Sequence, residues 1–382
     1  MPKRRTNDVV HVVMTDHRIQ ARIPSRDLLG EVQEAHAADH GAYRGEVVPY
    51  YPDRLPDNNE SRLSVAVAQV TNGSNLSLGV QQLASAIKQE RPRQAQFYFA
   101  LGEAWRDLGM PAKAVLAYQE AVRREPASGW MLKRLADALL ASGNLPKALL
   151  TMRQATTRWP DDSRIHYSLG ALTLASGSKT EAISILRKSI QLDPDLPYAH
   201  QSLGRALLDS SNLSAAEEEF RSELRVQPDF SEARVNLATL LSTRGNFSEA
   251  SYYFDTALAL NPENVGARCN YAIALLKLDR PVDARDQIER AVVINTSLPM
   301  PHQILGEILE EQGELQQAID AYRQALLVKP GFSPAHLDLG RALLKQGLHG
   351  EAVRELRKAM SASDRAIRNQ AAQALQDIGE RR

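Results

Sequence analysis

From residue 95 onward, apolar positions fall in pairs of helix-spaced blocks parted by polar turns, and the whole arrangement recurs every 34 residues. An apolar–small pair marks the phase: Leu101-Gly102, Leu135-Ala136, Leu169-Gly170, Leu203-Gly204, Leu237-Ala238, Tyr271-Ala272, Leu305-Gly306 and Leu339-Gly340. Twelve residues after each small residue stands an alanine: Ala114, Ala148, Ala182, Ala216, Ala250, Ala284, Ala318 and Ala352. A helix breaker closes most repeats, at Pro126, Pro160, Pro194, Pro228, Pro262 and Pro330, with Thr296 and Asp364 as exceptions. Eight repeats thus span residues 95–366 without insertion.

The periodicity predicts two amphipathic helices per repeat, running in the first from Gln96 to Leu108 and from Pro111 to Arg124. Glycine or asparagine marks the intervening turn, at Gly109, Gly143-Asn144, Gly177, Asn212, Gly245-Asn246, Gly313 and Gly347. Glycine tolerates the left-handed conformation that ends a helix. The small residue at repeat position 8 and the alanine at position 20 let the paired backbones approach. The larger residue at position 24 (Tyr118, Met152, Leu186, Phe220, Phe254, Ile288, Tyr322, Leu356) fills the space beside them. Proline cannot continue the second helix. One pair cannot bury its apolar face alone, whereas stacked pairs can.

Composition narrows the classes. Of 382 residues, 43% are hydrophobic, enough to bury a core and to exclude wholesale disorder. Lys+Arg and Asp+Glu are both 46, so the basic excess usual in nucleic-acid binders is absent. No apolar run is long enough to span a bilayer, and the Met1-Pro2-Lys3-Arg4-Arg5 start leads into polar sequence rather than a secretory leader. One cysteine, Cys269, excludes an internal disulfide framework and a multi-cysteine metal cluster.

The small residue, alanine, large residue and proline at these spacings resemble the tetratricopeptide repeat (TPR), over about seven-tenths of the chain. The resemblance implies an all-α, right-handed superhelical solenoid. Residues 61–94 hold the same phase in degraded form, with Val67-Ala68, Ile87 and Pro92 on register and Val80 in place of the alanine, and read as a capping repeat. Residues 367–382 read as a terminal capping helix, part of a helical stretch from Ala366 to Ile378 that turns Ala371, Ala372 and Leu375 toward the last repeat. Residues 1–60, rich in His, Asp and Pro, read as an extended, irregular segment.

Candidate chemistry is sparse. Gly177-Ser178-Lys179-Thr180 lacks the glycine directly before lysine that a phosphate-binding loop needs, and it falls on a helix–helix turn. No G-x-S-x-G or H-E-x-x-H motif occurs, so no enzyme is expected. His166, His200, His302 and His336 share repeat position 4, so duplication sets their spacing and they read as packing residues. His36 and His40, four apart, read as an exposed helix face, with a zinc pair as the alternative. Cys269 has no His or Lys beside it to lower its pKa and reads as a small buried or groove-lining thiol.

In the family that this chain resembles, positions 2, 5, 9, 12 and 13 of the first helix line a concave groove. Here they supply Phe99, Trp130, Lys133, Leu140, Tyr167, Leu174, Tyr198, Arg205, Leu208, Val235, Cys269 and Leu276, then the charged Glu307, Glu310, Glu311, Arg341 and Lys345. Position 6 places Asn236 and Asn270 in adjacent repeats, after Ser168 and Ser202. The resemblance implies that such asparagines bind the backbone of an extended peptide, since an amide both donates and accepts. The peptide-binding candidates are therefore Trp130, Tyr167, Tyr198, Asn236 and Asn270. The carboxylate clamp of chaperone-tail-binding relatives is not expected, because Asp137 follows Lys133 where a carboxylate would be repelled.

The first 52 residues, through Val9-Val10-His11-Val12-Val13-Met14-Thr15-Asp16-His17 and Tyr43-Arg44-Gly45-Glu46-Val47-Val48 to Tyr51-Pro52, resemble the C-terminal part of bacterial multihaem cytochromes c fused to TPRs. That resemblance implies His17, then His11, as distal ligands to a haem attached elsewhere. No C-x-x-C-H is present, so no cofactor is expected on this chain itself, and haem only in a longer or partnered context. The expected function is a scaffold that binds a protein or extended peptide, without nucleic acid or a membrane span. The alternative is the terminal portion of an electron-transfer cytochrome, which would imply a periplasmic rather than cytoplasmic location.

Overall fold

The computed structural model describes residues 59–72 and 75–380. The described residues divide into two modules, the first ending at Leu192 and the second starting at Asp193. The first contains α1 (Asn59–Asn72), α2 (Leu76–Glu90), α3 (Ala95–Asp107), α4 (Pro111–Arg124), α5 (Gly129–Ala141), α6 (Leu145–Arg158), α7 (Ser163–Ala175) and α8 (Lys179–Leu192). The second contains α9 (Ala199–Asp209), α10 (Leu213–Val226), α11 (Ser231–Thr243), α12 (Phe247–Leu260), α13 (Val265–Lys277), α14 (Pro281–Ile294), α15 (Pro299–Glu311), α16 (Leu315–Val328), α17 (Ser333–Lys345), α18 (His349–Ala359) and α19 (Arg365–Glu380). Every element among the described residues is helical, and within each module each helix packs on its sequence neighbours.

The small and large positions interlock as their spacing requires. All eight position-20 alanines are fully buried, and so are the eight large residues at position 24. A Cβ added to Gly102 would stand 2.5 Å from the Tyr118 ring; one on Gly204 would stand 2.6 Å from Phe220, and one on Gly306 2.4 Å from Tyr322. Glycine is needed at these sites because a ring lies flat against the first helix's backbone. Such close-packed interiors feel a change of one methylene.

The turn within each repeat uses one left-handed residue. Six are glycines, from Gly109 (φ 68°) to Gly347 (φ 82°), but Ser211 (φ 61°) and Asp279 (φ 59°) fill the same place in the fourth and sixth repeats. Asn212, which marks this turn in the sequence, directly follows the left-handed residue of the fourth repeat. It caps α10, its side chain accepting from the Ala215 amide, as Asn144 caps α6 and Asn246 caps α12.

α9 departs from the pattern. The other first helices from α3 to α17 have 13 residues, whereas α9 has 11 and starts only after Tyr198, which is left-handed at φ 68°. The shortened end leaves backbone N–H groups without helical partners. Glu223 of α10, fully buried, accepts from the Tyr198 amide at 2.8 Å and the Gln201 amide at 2.9 Å. Its repeat position holds alanine or serine in the other seven repeats. The terminal helix also differs in detail from the sequence reading. Ala371 is buried against Leu337 and Leu356 as expected, but Ala372 is exposed, and Ile367, Ala374, Leu375 and Ile378 complete the contact. Ile367, Ala371, Ala374, Leu375 and Ile378 follow one another at three- and four-residue steps along one face, and Ala372 falls at its solvent edge.

Candidate functional site

In the first module, α5 and α7 carry the aromatic candidates. Trp130, in the first turn of α5, is 53% exposed, and the Arg134 guanidinium lies over its ring at 4.4 Å. That contact holds an apolar surface open to solvent while covering one face with a cation. Tyr167 on α7 is half-buried, as are Phe99 on α3 and Leu174 on α7; Leu140 on α5 is exposed. Lys133 is tied to Asp137 at 2.8 Å. The acid neutralises the lysine that a carboxylate clamp would need.

In the second module, α11 and α13 pack together and present Asn236 and Asn270, both half-buried. Asn270 donates from Nδ2 to Thr239 Oγ1 at 3.3 Å, while the Asn236 amide makes no side-chain hydrogen bond among the described residues. Tyr198 is not on the first helix of its repeat. It lies just before α9, 46% exposed, with its ring edge-on to Phe230 at 5.1 Å. The Pro197-Tyr198 pair replaces the first helical turn, so the side chain leaves the helical register on which the sequence reading placed it. Cys269 is fully buried on α13, and burial pushes its thiol up to about 11, out of the nucleophilic range. Val235, Leu208 and Leu276 are half-buried and Arg205 is exposed.

The charged end of the first-helix stripe is a network rather than a row of free ions. Gln303 donates from one amide nitrogen to Glu307 at 2.5 Å and to Asp338 at 2.8 Å. Glu310 accepts from the Tyr322 hydroxyl at 3.0 Å and pairs with Lys345 at 2.6 Å. Burial, then the neighbouring Asp338, Glu311 and Glu310 carboxylates, push Glu307 up to about 7. Burial raises Asp338 as well, against the Gln303 hydrogen bond. The sequence shows the acids but not the bridging role of Gln303, which needs the stacking of α15 on α17.

Five of the eight position-4 side chains have a shared structural task, and His302 is not among them. His166, His200 and His336 lie within 2.7, 3.0 and 2.8 Å of the carbonyls of Pro160, Pro194 and Pro330, each six residues back. Arg234 and Arg268 donate to the carbonyls of Pro228 and Pro262 in the same way. The side chain thus ties the start of a repeat's first helix to the breaker before it. Nδ1 of His200 lies 2.6 Å from Glu219, and that hydrogen bond pushes the imidazole's pKa up. Nδ1 of His336 lies 2.6 Å from Glu355. His11, His17, His36 and His40, and the whole cytochrome-like stretch, lie outside the described residues. Among the described residues, no cluster of three or more His, Cys, Asp or Glu is placed to hold a metal ion, and no helix is long and apolar enough to cross a membrane.

Family models described as tetratricopeptide repeat match residues 66–129, 133–197, 202–250 and 305–367, and a second such model matches 241–296. No curated protein matches the chain in sequence. Among solved structures, a chain of the APC/C hetero-tetramer Cut9-Hcn1 is 15% identical with a TM-score of 0.54, the match covering 84% of this chain and 64% of that one. A tetratricopeptide repeat protein from Parabacteroides merdae is 19% identical with a TM-score of 0.50, covering 65% and 98%. YrrB, described as a TPR protein with an unusual peptide-binding site, is 20% identical with a TM-score of 0.40, covering 50% and 97%. The first two likenesses show a shared fold. With the interlocked positions 8, 20 and 24 in every repeat and family models matching well over half its length, the chain belongs to the tetratricopeptide repeat family.

Proposed function

We propose that the chain is a scaffold that binds an extended segment of a protein partner on the first-helix face. In the second module Asn236 and Asn270 hydrogen-bond the partner's backbone. The first module offers an apolar contact surface of its own at Trp130 and Tyr167. The observation that carries this reading is the Asn236 amide, half-buried on α11, which packs on the helix of Asn270, and unmatched by any side-chain partner among the described residues. A primary amide offers both the donor and the acceptor that a peptide unit requires. Exposed Tyr198, edge-on to Phe230, adds an aromatic surface in the second module.

The test uses peptides selected against the full chain from a random library. Replacing Asn236 and Asn270 together by alanine should weaken their binding at least tenfold in a calorimetric titration, with the helical circular dichroism unchanged. Undiminished affinity in the double variant refutes the assignment. The electron-transfer alternative, with His17 and His11 as ligands, draws no support from the described residues.

A further inference from the structure

The second module ends in a cleft of about 470 Å³ between α17 and α19. The volume falls within the roughly 300–1,000 Å³ range of ligand pockets. Its apolar side is formed by Leu344, Ala374 and Ile378, all half-buried. Two amide side chains, Gln370 and Gln373, project from α19 along it. Arg341, Lys345 and His349 line it from α17 and the start of α18, against a single acid, Asp377.

The state of these charges matters more than their number. Lys345 is already paired with Glu310 at 2.6 Å. Asp377 accepts from Gln373 at 2.9 Å. Arg341 is exposed, reaches only the neutral Gln370 oxygen, at 3.4 Å, and enters no ion pair among the described residues. Asp338, which feels its field, is hydrogen-bonded to Gln303 instead. The cleft therefore offers one uncommitted guanidinium, two amides and an apolar wall within one cavity. A carboxylate matches the planar fork of a guanidinium. The amides match a peptide unit, and the wall matches an aliphatic side chain.

We propose that the cleft between α17 and α19 captures the C-terminus of a partner peptide whose last residue is apolar. The free carboxylate pairs with Arg341, the terminal side chain packs on Leu344, Ala374 and Ile378, and the last peptide unit meets Gln370 and Gln373. Chain-end recognition of this kind depends on a charge that every free C-terminus carries. The site is separate from Asn236 and Asn270 and does not rest on their assignment.

Fluorescence anisotropy on the full chain tests this with a labelled hexapeptide, Gly-Ser-Gly-Ser-Gly-Leu, as the free acid and as the C-terminal amide. The acid should bind saturably and the amide at least tenfold more weakly. Arg341→Ala should lose at least tenfold in affinity for the acid, Arg341→Lys should recover part of it, and Asp377→Asn should bind more tightly than the parent. Both positions are exposed, so circular dichroism should not change. The chain with both asparagines replaced should bind this probe as the parent does, which separates failure here from failure of the groove assignment. Equal binding of acid and amide, no saturable binding up to about 1 mM, or unaltered affinity in Arg341→Ala overturns the proposal. So does octanoate displacing the peptide with equal or greater affinity, since the site would then serve a free fatty acid.

Discussion

Glu223 replaces a small residue at one repeat position and changes how a helix begins. Two backbone amides, of Tyr198 and Gln201, depend on its carboxylate, and both sit where α9 has lost its first turn. Glu223→Ala should strand those donors in a buried setting and lower the unfolding free energy by about 1–3 kcal/mol. A urea titration reads this, and a cost below 0.5 kcal/mol (on the order of an ordinary surface change) would show the carboxylate to be dispensable. Glu307 makes an opposite, pH-dependent contribution. Its folded pKa, about 7, lies above the ordinary carboxylate value, so the folded state favours the protonated form. The stability it supports is whole below about pH 4.5 and lost as pH rises through 7. At about 1.4 kcal/mol per pH unit, reduced by partial solvent screening, the penalty near pH 8.5 is about 1–2 kcal/mol. Glu307→Gln should therefore stabilise the chain at pH 8.5 and do little at pH 5, as thermal unfolding at the two pH values would show. Neither role is readable from the sequence. Glu223 stands out only as an exception in an alanine column, and the perturbation of Glu307 arises from its burial and from carboxylates that include Asp338 on a different helix, α17.

At the scale of the helix pair, the sequence is far more informative. A 34-residue period with no insertion leaves one phase for the small and large positions, so the burial of Ala114 and Tyr118 in the first repeat predicts that of Ala352 and Leu356 in the last. The period fails where a local choice overrides it. Pro197 and Tyr198 delay α9, and Ser211 rather than a glycine takes the left-handed turn. A side chain in that conformation costs roughly 1–2 kcal/mol relative to glycine, partly offset by the lower chain entropy of the unfolded serine or aspartate. Ser211→Gly and Asp279→Gly should each stabilise by about 0.5–1 kcal/mol. Both side chains are exposed, so no packing is lost. Gly245→Ser, the reverse change in the intervening repeat, should cost a similar amount. If denaturant midpoints of all three variants match the parent, backbone strain at this turn position is not what sets its glycine preference. The same limits explain the candidate site. Asn236 and Asn270 are legible as adjacent position-6 residues, whereas the displacement of Tyr198 and the α17–α19 cleft follow from how individual helices start and end.

Across the molecule, packing in each module runs between sequence neighbours: α16 on α17, α17 on α18, α18 on α19. Nothing in such a stack requires a distant repeat to be folded for a terminal one to be, so stability is carried locally and lost locally. The C-terminal end is the place to see this. Ala352 is fully buried in a cluster with Leu339, Ala342 and Leu343, and α19 covers Leu337 and Leu356 beyond it. Ala352→Leu should overpack that junction at a cost of about 1–3 kcal/mol. If repeats open independently, amide hydrogen exchange in α17, α18 and α19 should accelerate roughly 5- to 30-fold for each 1–2 kcal/mol lost. Amides of α3 to α6 should exchange at the parent rate. Ala148→Leu, a like change in the first module, should produce the mirror result, and the two costs should add to within about 0.5 kcal/mol in the double variant. Uniform acceleration along the chain from either substitution would mean that the protein opens as one cooperative body. The proposed groove and terminal-cleft sites would then gain and lose binding competence together instead of separately.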